Sequence, residues 1–353
     1  MKKIIAVFGT RPEAVKMCPL ILELKKRKCF DVKVCLTGQH RELLDSVLDT
    51  FGVLADFDLS VMAKGQTLSD ITAKIIDGIT PIFQNEKPDF ILVHGDTATA
   101  FAAALAAFYL KIPVGHVEAG LRTYDISSPY PEEFNRRAVS LMSSLDFAPT
   151  EAARESLIEE GKNPECVFVT GNTVVDALKF TSSEVQTDEK TVLLTAHRRE
   201  SIGEGMRNIF SAVRSIARKY PDFKIVYPVH PNPAVRRVAE EILGGAENID
   251  LCEPLDLIEF HSLLARSYIV MTDSGGVQEE AAALGKPCLV LRGKTERTEG
   301  GSLILVGTNE NKIVSAFERL VDDKEFYDSI KNTPNPYGDG KASVRIADIL
   351  ERI

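Results

Sequence analysis

Short β-branched runs alternate with amphipathic helical patterns along the whole chain, and that alternation leaves few folds open. Strand-like runs fall at 4–8, 33–37, 90–94, 114–117, 145–148 and 167–170, then at 192–196, 224–229, 249–252, 268–272, 287–291 and 303–306. Helix-period stretches lie between them, among them 14–28, 68–84, 205–219 and 277–284. Strands separated by crossover helices build parallel sheets covered by helices. The runs are almost continuously apolar, as strands buried on both faces are. Two sets of six such runs in 353 residues predict an α/β protein of two doubly wound, Rossmann-like domains facing across a cleft. The expected division is a first domain at 1–172, a second at 173–335, and a last helix within 336–353 that returns to the first domain. The polar stretch 181–190 (TSSEVQTDEK) reads as a linker, and 332–340 (NTPNPYGDG) as a turn-rich break before that helix.

Charge narrows the partners. Asp plus Glu number 51 against 42 Lys plus Arg, a net charge of −9 that speaks against a nucleic-acid face or a polybasic membrane anchor. No run approaches the roughly 20 apolar residues of a membrane span, and the opening MKKIIAVF is too short and too soon followed by Arg11, Glu13 and Lys16 for a signal peptide. The reading is a cytoplasmic protein. The six cysteines (18, 29, 35, 166, 252 and 288) form no C-x-x-C pair and read as reduced thiols, mostly in apolar segments.

In parallel sheets, ligands bind beyond the carboxyl ends of the strands. The first run is followed by Gly9-Thr10-Arg11-Pro12-Glu13 and Lys16, a helix start with cations beside it and so a candidate anion site. His94-Gly95-Asp96 and His116-Val117-Glu118 end the third and fourth runs, and Pro129-Tyr130-Pro131-Glu132-Glu133 leads into a helix. Glu118 at an apolar strand end is an expensive place for an unpaired carboxylate. In the second half, His197-Arg198-Arg199-Glu200 suits a phosphate. Ser274-Gly275-Gly276 opens a helix as a cradle of backbone N–H groups, with Glu280 one turn on, in reach of a ribose diol. Five of the six histidines, all but His261, lie at such ends. There is no G-x-G-x-x-G, Walker lysine, H-E-x-x-H or G-x-S-x-G, so the expectation is chemistry with no metal and no nicotinamide cofactor. Carboxylates near a sugar can share proton removal, leaving-group protonation and proton return.

Ten ordered segments carry a resemblance: GTRPEAVKMCPL (9–20), GQHRELLD (38–45), VHGDTATA (93–100), GHVEAGLRT (115–123), PYPEEFNRR (129–137), TGNTVVDAL (170–178), AHRRES (196–201), PVHPNP (228–233), TDSGGVQEEA (272–281) and GKPCLVLR (285–292). The chain resembles, end to end, the non-hydrolysing UDP-N-acetylglucosamine 2-epimerases of bacteria. The resemblance implies a GT-B-like fold, interconversion of UDP-GlcNAc and UDP-ManNAc by elimination of UDP to a 2-acetamidoglucal and re-addition, no cofactor, a homodimer, and supply of cell-surface polysaccharides.

By position, the resemblance makes Asp96, Glu118 and Glu132 the catalytic carboxylates, without saying which is the C2 base, and adds His197 to the catalytic set. It places Arg11, Lys16 and His197 on the diphosphate, with Arg292 at a strand end as a further phosphate contact, Arg136 among the substrate-binding residues, and Ser274, Gly275, Gly276 and Glu280 in the uridine-diphosphate cradle. It also implies a second, activating UDP-GlcNAc site at Gln39, Gln66, Glu133, Arg198 and His230. One departure is Thr298, where the family has Pro, followed by a shorter link to the next strand. The weighed alternatives are an epimerase of a modified UDP-sugar, a hydrolysing epimerase releasing ManNAc, a GT-B glycosyltransferase and a catalytically silent nucleotide-sugar sensor.

Overall fold

Both sets of apolar runs form all-parallel sheets in a computed structural model of the chain, which describes residues 1–353 apart from 39–40, 64, 183–187, 189, 199–200, 296 and 298–300, and the backbone alone at 41–43. Two compact units result, 1–180 with 337–353, and 181–336.

In the first unit, strands β1 (Lys2–Phe8), β2 (Phe30–Leu36), β3 (Phe57–Asp58), β4 (Phe90–His94), β5 (Val114–Val117), β6 (Leu145–Ala148) and β7 (Val167–Val169) lie in the order β3-β2-β1-β4-β5-β6-β7. Its helices are α1 (Arg11–Lys26), α2 (Arg41–Phe51), α3 (Leu68–Glu86), α4 (Ala98–Tyr109), α5 (Glu132–Met142), α6 (Glu151–Glu159) and α7 (Thr173–Thr181, which ends at the boundary). The sequence reading missed β3: two residues are too few to show a period, and it exists only because Cys35 and Leu36 offer it an edge. The order reverses between β1 and β4, which pair from Ile4↔Phe90 to Val7↔Val93, so the loops after these two strands open beside each other. Helix α4 covers that point with a buried face of small residues, Ala100, Ala103, Ala104 and Ala107 among them, which let helix and sheet approach closely.

In the second unit, β8 (Thr191–Thr195), β9 (Lys224–Pro228), β10 (Ile249–Cys252), β11 (Ile269–Thr272), β12 (Cys288–Val290) and β13 (Leu303–Leu305) lie in the order β10-β9-β8-β11-β12-β13. The helices are α8 (Glu204–Lys219), α9 (Pro233–Leu243), α10 (Leu257–Arg266), α11 (Gly275–Ala283), α12 (Glu310–Asp322) and α13 (Lys324–Lys331). Leu194, Met271 and Leu289 of the sheet pack with Ile209, Phe210 and Val213 of α8 in the larger core. The switch point is β8/β11.

The last helix, α14 (Ala342–Arg352), packs on α1 of the first unit. Arg27 pairs there with Asp348 (2.7 Å) and Glu351 (2.9 Å), and Asp176 of α7 accepts the Ala342 and Ser343 N–H groups at the start of α14. Those bonds bind α7 to the first unit, so the division falls one helix later than position 172. Cys18, Cys35 and Cys288 are buried and Cys29, Cys166 and Cys252 half-buried, all as free thiols.

Candidate active site

The turn after β1 is built around Glu13. Its Oε2 accepts from Gly9 N (3.0 Å), Thr10 N (2.8 Å) and Thr10 Oγ1 (2.8 Å), closing a capping box on α1. Its Oε1 accepts from Thr97 Oγ1 (2.7 Å), which belongs to the turn after β4. Burial pushes the Glu13 carboxyl up, against the pull of these hydrogen bonds.

Glu118 follows β5 with φ +62°, a left-handed conformation that costs a non-glycine residue of order 1–3 kcal/mol. Its Oε2 is paired with the Lys16 ammonium and accepts from Asn172 Nδ2 (2.9 Å), with His94 Nε2 at 3.8 Å. The Lys16 and Glu118 side chains are only 6% and 7% exposed. Oε1 lies over Gly95, 3.5 Å from where a β-carbon would stand. A buried carboxylate held on one oxygen by a cation and an amide, on a strained turn at a strand end, is a group in a forced position.

Burial drives the His94 imidazole down to about 4, outweighing the attraction of Glu118, so it is neutral at pH 7. The unfolded chain takes up this proton near pH 6.5, so stability is lost as pH falls from there toward 4. A shift from 6.5 to about 4 corresponds to roughly 3 kcal/mol. Urea titrations at pH 7 and pH 4.5 check this: His94→Gln is expected to flatten the acid loss, and an unchanged slope would show that other groups carry it.

Asp96 lies between β4 and α4, with its carboxylate paired to Arg136 of α5. Arg136 is buried and also approaches Glu133 Oε2 at 3.6 Å. Glu132 is the first residue of α5, half-buried, where the helix dipole favours a carboxylate. Glu133 is fully buried, and its oxygens accept from Thr123 N and Tyr124 N (3.1 Å each), which leaves it no exposed surface for a ligand. Gln66 is bound to its own loop, at Ala63 N and Val61 O. Gln39, Arg199, Glu200 and Thr298 lie outside the described residues, as does the side chain of Arg41. Arg11 is half-buried at the start of α1.

In the second unit, Asp273 is the organising residue that sequence reasoning missed. It is fully buried, and its Oδ2 accepts from His197 N and Arg198 N (2.8 Å each), tying the loop after β8 to the end of β11. Its Oδ1 is 3.6 Å from His197 Nδ1. The His197 ring stacks on His230 (5.2 Å, 13°), and His230 Nδ1 accepts from Asn232 N. Ser274 occupies the N-cap of α11 without a side-chain bond into the helix, and its N–H goes instead to Thr272 Oγ1 (2.9 Å). A β-carbon on Gly276 would meet nothing within 4 Å, whereas one on Gly275 would fall 2.5 Å from the Arg297 guanidinium, which Glu279 holds at 2.8 Å. Glu280 lies one turn on, its Oε1 3.6 Å from Nε2 of buried His261, and Arg292 is buried just past β12. Among the described residues, no group of three or more His, Cys, Asp or Glu is placed to hold a metal.

Two Rossmann-like units, one opening a helix on Ser274-Gly275-Gly276 and one with carboxylates at its strand ends, are the layout of the GT-B-like class of nucleotide-sugar enzymes. The family model described as UDP-N-acetylglucosamine 2-epimerase matches residues 22–351. The chain is 49% identical over 359 residues to the UDP-N-acetylglucosamine 2-epimerase of Bacillus subtilis (strain 168), covering 99% of this chain and 94% of that one. It superposes with a TM-score of 0.96, at 47% identity, on the UDP-GlcNAc 2-epimerase from Neisseria meningitidis bound to UDP-GlcNAc, covering 99% and 100% of the two chains. The S. aureus MnaA–UDP co-structure matches with a TM-score of 0.95 at 50% identity, over 100% and 96%. The chain belongs to the UDP-N-acetylglucosamine 2-epimerase family.

Proposed function

We propose that the protein interconverts UDP-GlcNAc and UDP-ManNAc by elimination and re-addition. A carboxylate removes the proton at C2, and the C1–oxygen bond breaks with its electron pair leaving on UDP, which gives 2-acetamidoglucal. UDP then adds back at C1 as a proton is delivered to the opposite face of C2, so no water is consumed. Asp96, Glu118 and Glu132 carry the proton transfers. Lys16, Arg11 and Arg136 in the first unit, and His197 and Arg292 in the second, take the developing charge of the diphosphate. Ser274, Gly275 and Gly276 offer backbone N–H groups to the phosphates and Glu280 its carboxylate to the ribose. The observation that carries this reading is Glu118, held by Lys16 and Asn172 on a left-handed turn at a strand end.

Incubation with UDP-GlcNAc in D2O, followed by NMR, tests it. The expected result is deuterium at C2 and a minor UDP-ManNAc signal with little free sugar. Accumulating free ManNAc would overturn it in favour of a hydrolysing enzyme, and no change without an acceptor in favour of a glycosyltransferase.

Activation by UDP-GlcNAc at a second site is part of the proposal. It is supported by the stacking of His230 on His197, through which a ligand at His230 would touch a diphosphate residue. Glu133 and Gln66 would act there by holding their loops. In the same assay, sigmoidal dependence on UDP-GlcNAc supports this and hyperbolic kinetics in both directions sinks it. We also place the enzyme in the cytoplasm, as a homodimer supplying polysaccharide synthesis. No described helix is long and apolar enough to cross a membrane. Exposed Phe108 and Tyr109 of α4 and Phe134 and Leu141 of α5 give neighbouring helices an apolar face that suits a second copy, which light scattering would reveal.

A further inference from the structure

Each residue of the turn 95–97 is gripped by a side chain from a different element. His116 of β5 reaches the Gly95 carbonyl with Nε2 (2.8 Å), and because that carbonyl can only accept, Nε2 carries the proton. Asn135 of α5 donates Nδ2 to the Asp96 carbonyl (2.9 Å), beside the Arg136 that pairs with the Asp96 carboxylate. Thr97 donates Oγ1 to Glu13 Oε1 of α1 (2.7 Å).

Local folding does not call for these contacts. Thr97 caps α4 by accepting from Ala100 N (3.0 Å), and that bond needs no donation to Glu13. The α1 cap uses only Oε2 of Glu13, so Oε1 is surplus to it and reaches a turn 84 positions away. Both Glu13 and Asn135 are buried, at 2% and 5% exposure, so neither polar group is there for solvation. What the three contacts share is the turn that carries the Asp96 carboxylate, two of them on its carbonyls and one on the Thr97 hydroxyl.

We propose that Glu13, His116 and Asn135 are positioning residues that hold Asp96 in place for proton transfer, an inference that rests on the reading of Asp96 as a catalytic carboxylate. A rigid backbone fixes the carboxylate relative to the sugar, and a displacement of about 1 Å can cost on the order of 100-fold in rate. The second unit ties its own switch-point loops with one buried carboxylate in the same way, at Asp273.

The test compares Thr97→Val, Thr97→Ser and Asn135→Leu, each alone and combined with Asp96→Asn. Thr97→Val and Asn135→Leu are expected to lower kcat by roughly 10–100-fold, with KM for UDP-GlcNAc within about twofold, while Thr97→Ser keeps the Glu13 bond and stays near the parent rate. In the Asp96→Asn background the same changes lower the residual rate no further, because the group they position is gone. An equal further loss in that background, or a lowered Tm with kcat intact, would overturn the proposal. Should Thr97→Val fail to fold, Asn135→Leu decides alone. If Asp96→Asn by itself turns over near the parent rate, the assignment of Asp96 is what has failed.

Discussion

Glu118→Gln is expected to lower turnover by ~10²–10⁴-fold while the protein stays folded, the range a lost general acid or base leaves. Glutamine keeps the shape and the left-handed turn, so the backbone at φ +62° has no reason to move. It removes the charge that the buried Lys16 ammonium faces, and it must present either an amide oxygen or an N–H to that cation. The Asn172 bond (2.9 Å) survives only with the oxygen turned that way. The loss is therefore expected in kcat, with UDP affinity by calorimetry changed far less. Two readouts separate the roles of the carboxylate. If Glu118 removes the C2 proton of UDP-GlcNAc, deuterium incorporation falls together with epimerisation. If incorporation into UDP-GlcNAc persists while epimerisation fails, Glu118 delivers the proton to the opposite face, because exchange at C2 of UDP-GlcNAc itself requires proton removal, loss of UDP and re-addition. Turnover near that of the parent would reduce it to a counter-ion for Lys16.

Gly120→Ala is expected to leave no folded protein at 37 °C. Gly120 has φ +92°, and a β-carbon there would stand 2.0 Å from the Ala153 carbonyl oxygen and 2.7 Å from its carbon. Backbone cannot swing aside as a long side chain can. Ala153 belongs to α6, which Leu157 anchors in a small core with Ala119, Leu121, Ala148 and Val167. Parting these layers would open that core, and the combined cost is on the order of 4 kcal/mol or more, a large share of a domain's stability. Gly161→Ala is the control: its φ is +91° but nothing lies within 4 Å of the added carbon, so it carries the conformational cost alone, about 1–2 kcal/mol. Urea unfolding, or soluble yield for Gly120→Ala, checks both. Similar losses for the two variants would show that φ, and not the contact with α6, is what glycine relieves at 120.

Much of this molecule is legible in its sequence. The apolar runs at 4–8, 90–94, 114–117 and 192–196 marked strands because a parallel strand buried on both faces needs apolar residues at nearly every position. Glu118 stands out because an unpaired carboxylate at an apolar strand end is expensive, while Asp96, where a strand exits and a helix begins, reads equally well as a helix cap. The residues that support them did not stand out. Glu13 closes a capping box with Thr10, a local contact, whereas the bond from its second oxygen to Thr97 has no local signature. Asp273 adjoins Ser274 and His261 lies within α10, and nothing in either stretch of sequence marks the partners they meet at His197 and Glu280. The resemblance implies a ligand role for Glu133 at the second site, and the fold buries its carboxylate on the backbone N–H groups of 123–124.

The net charge of −9 and the pattern of runs thus determined the class of chain: two parallel-sheet units, acidic overall, with cations and carboxylates gathered at strand ends. Those properties are local, written in the polarity of successive side chains and the turns between them. Tertiary structure alone decided which of the strand-end groups share a hydrogen bond. Glu13 meets Thr97, Lys16 meets Glu118, and Asp273 meets His197 because β1 lies beside β4, β4 beside β5, and β8 beside β11. Strand order is set by how whole layers bury their apolar faces, so a bond between residues 76 to 102 positions apart has no trace in either segment alone.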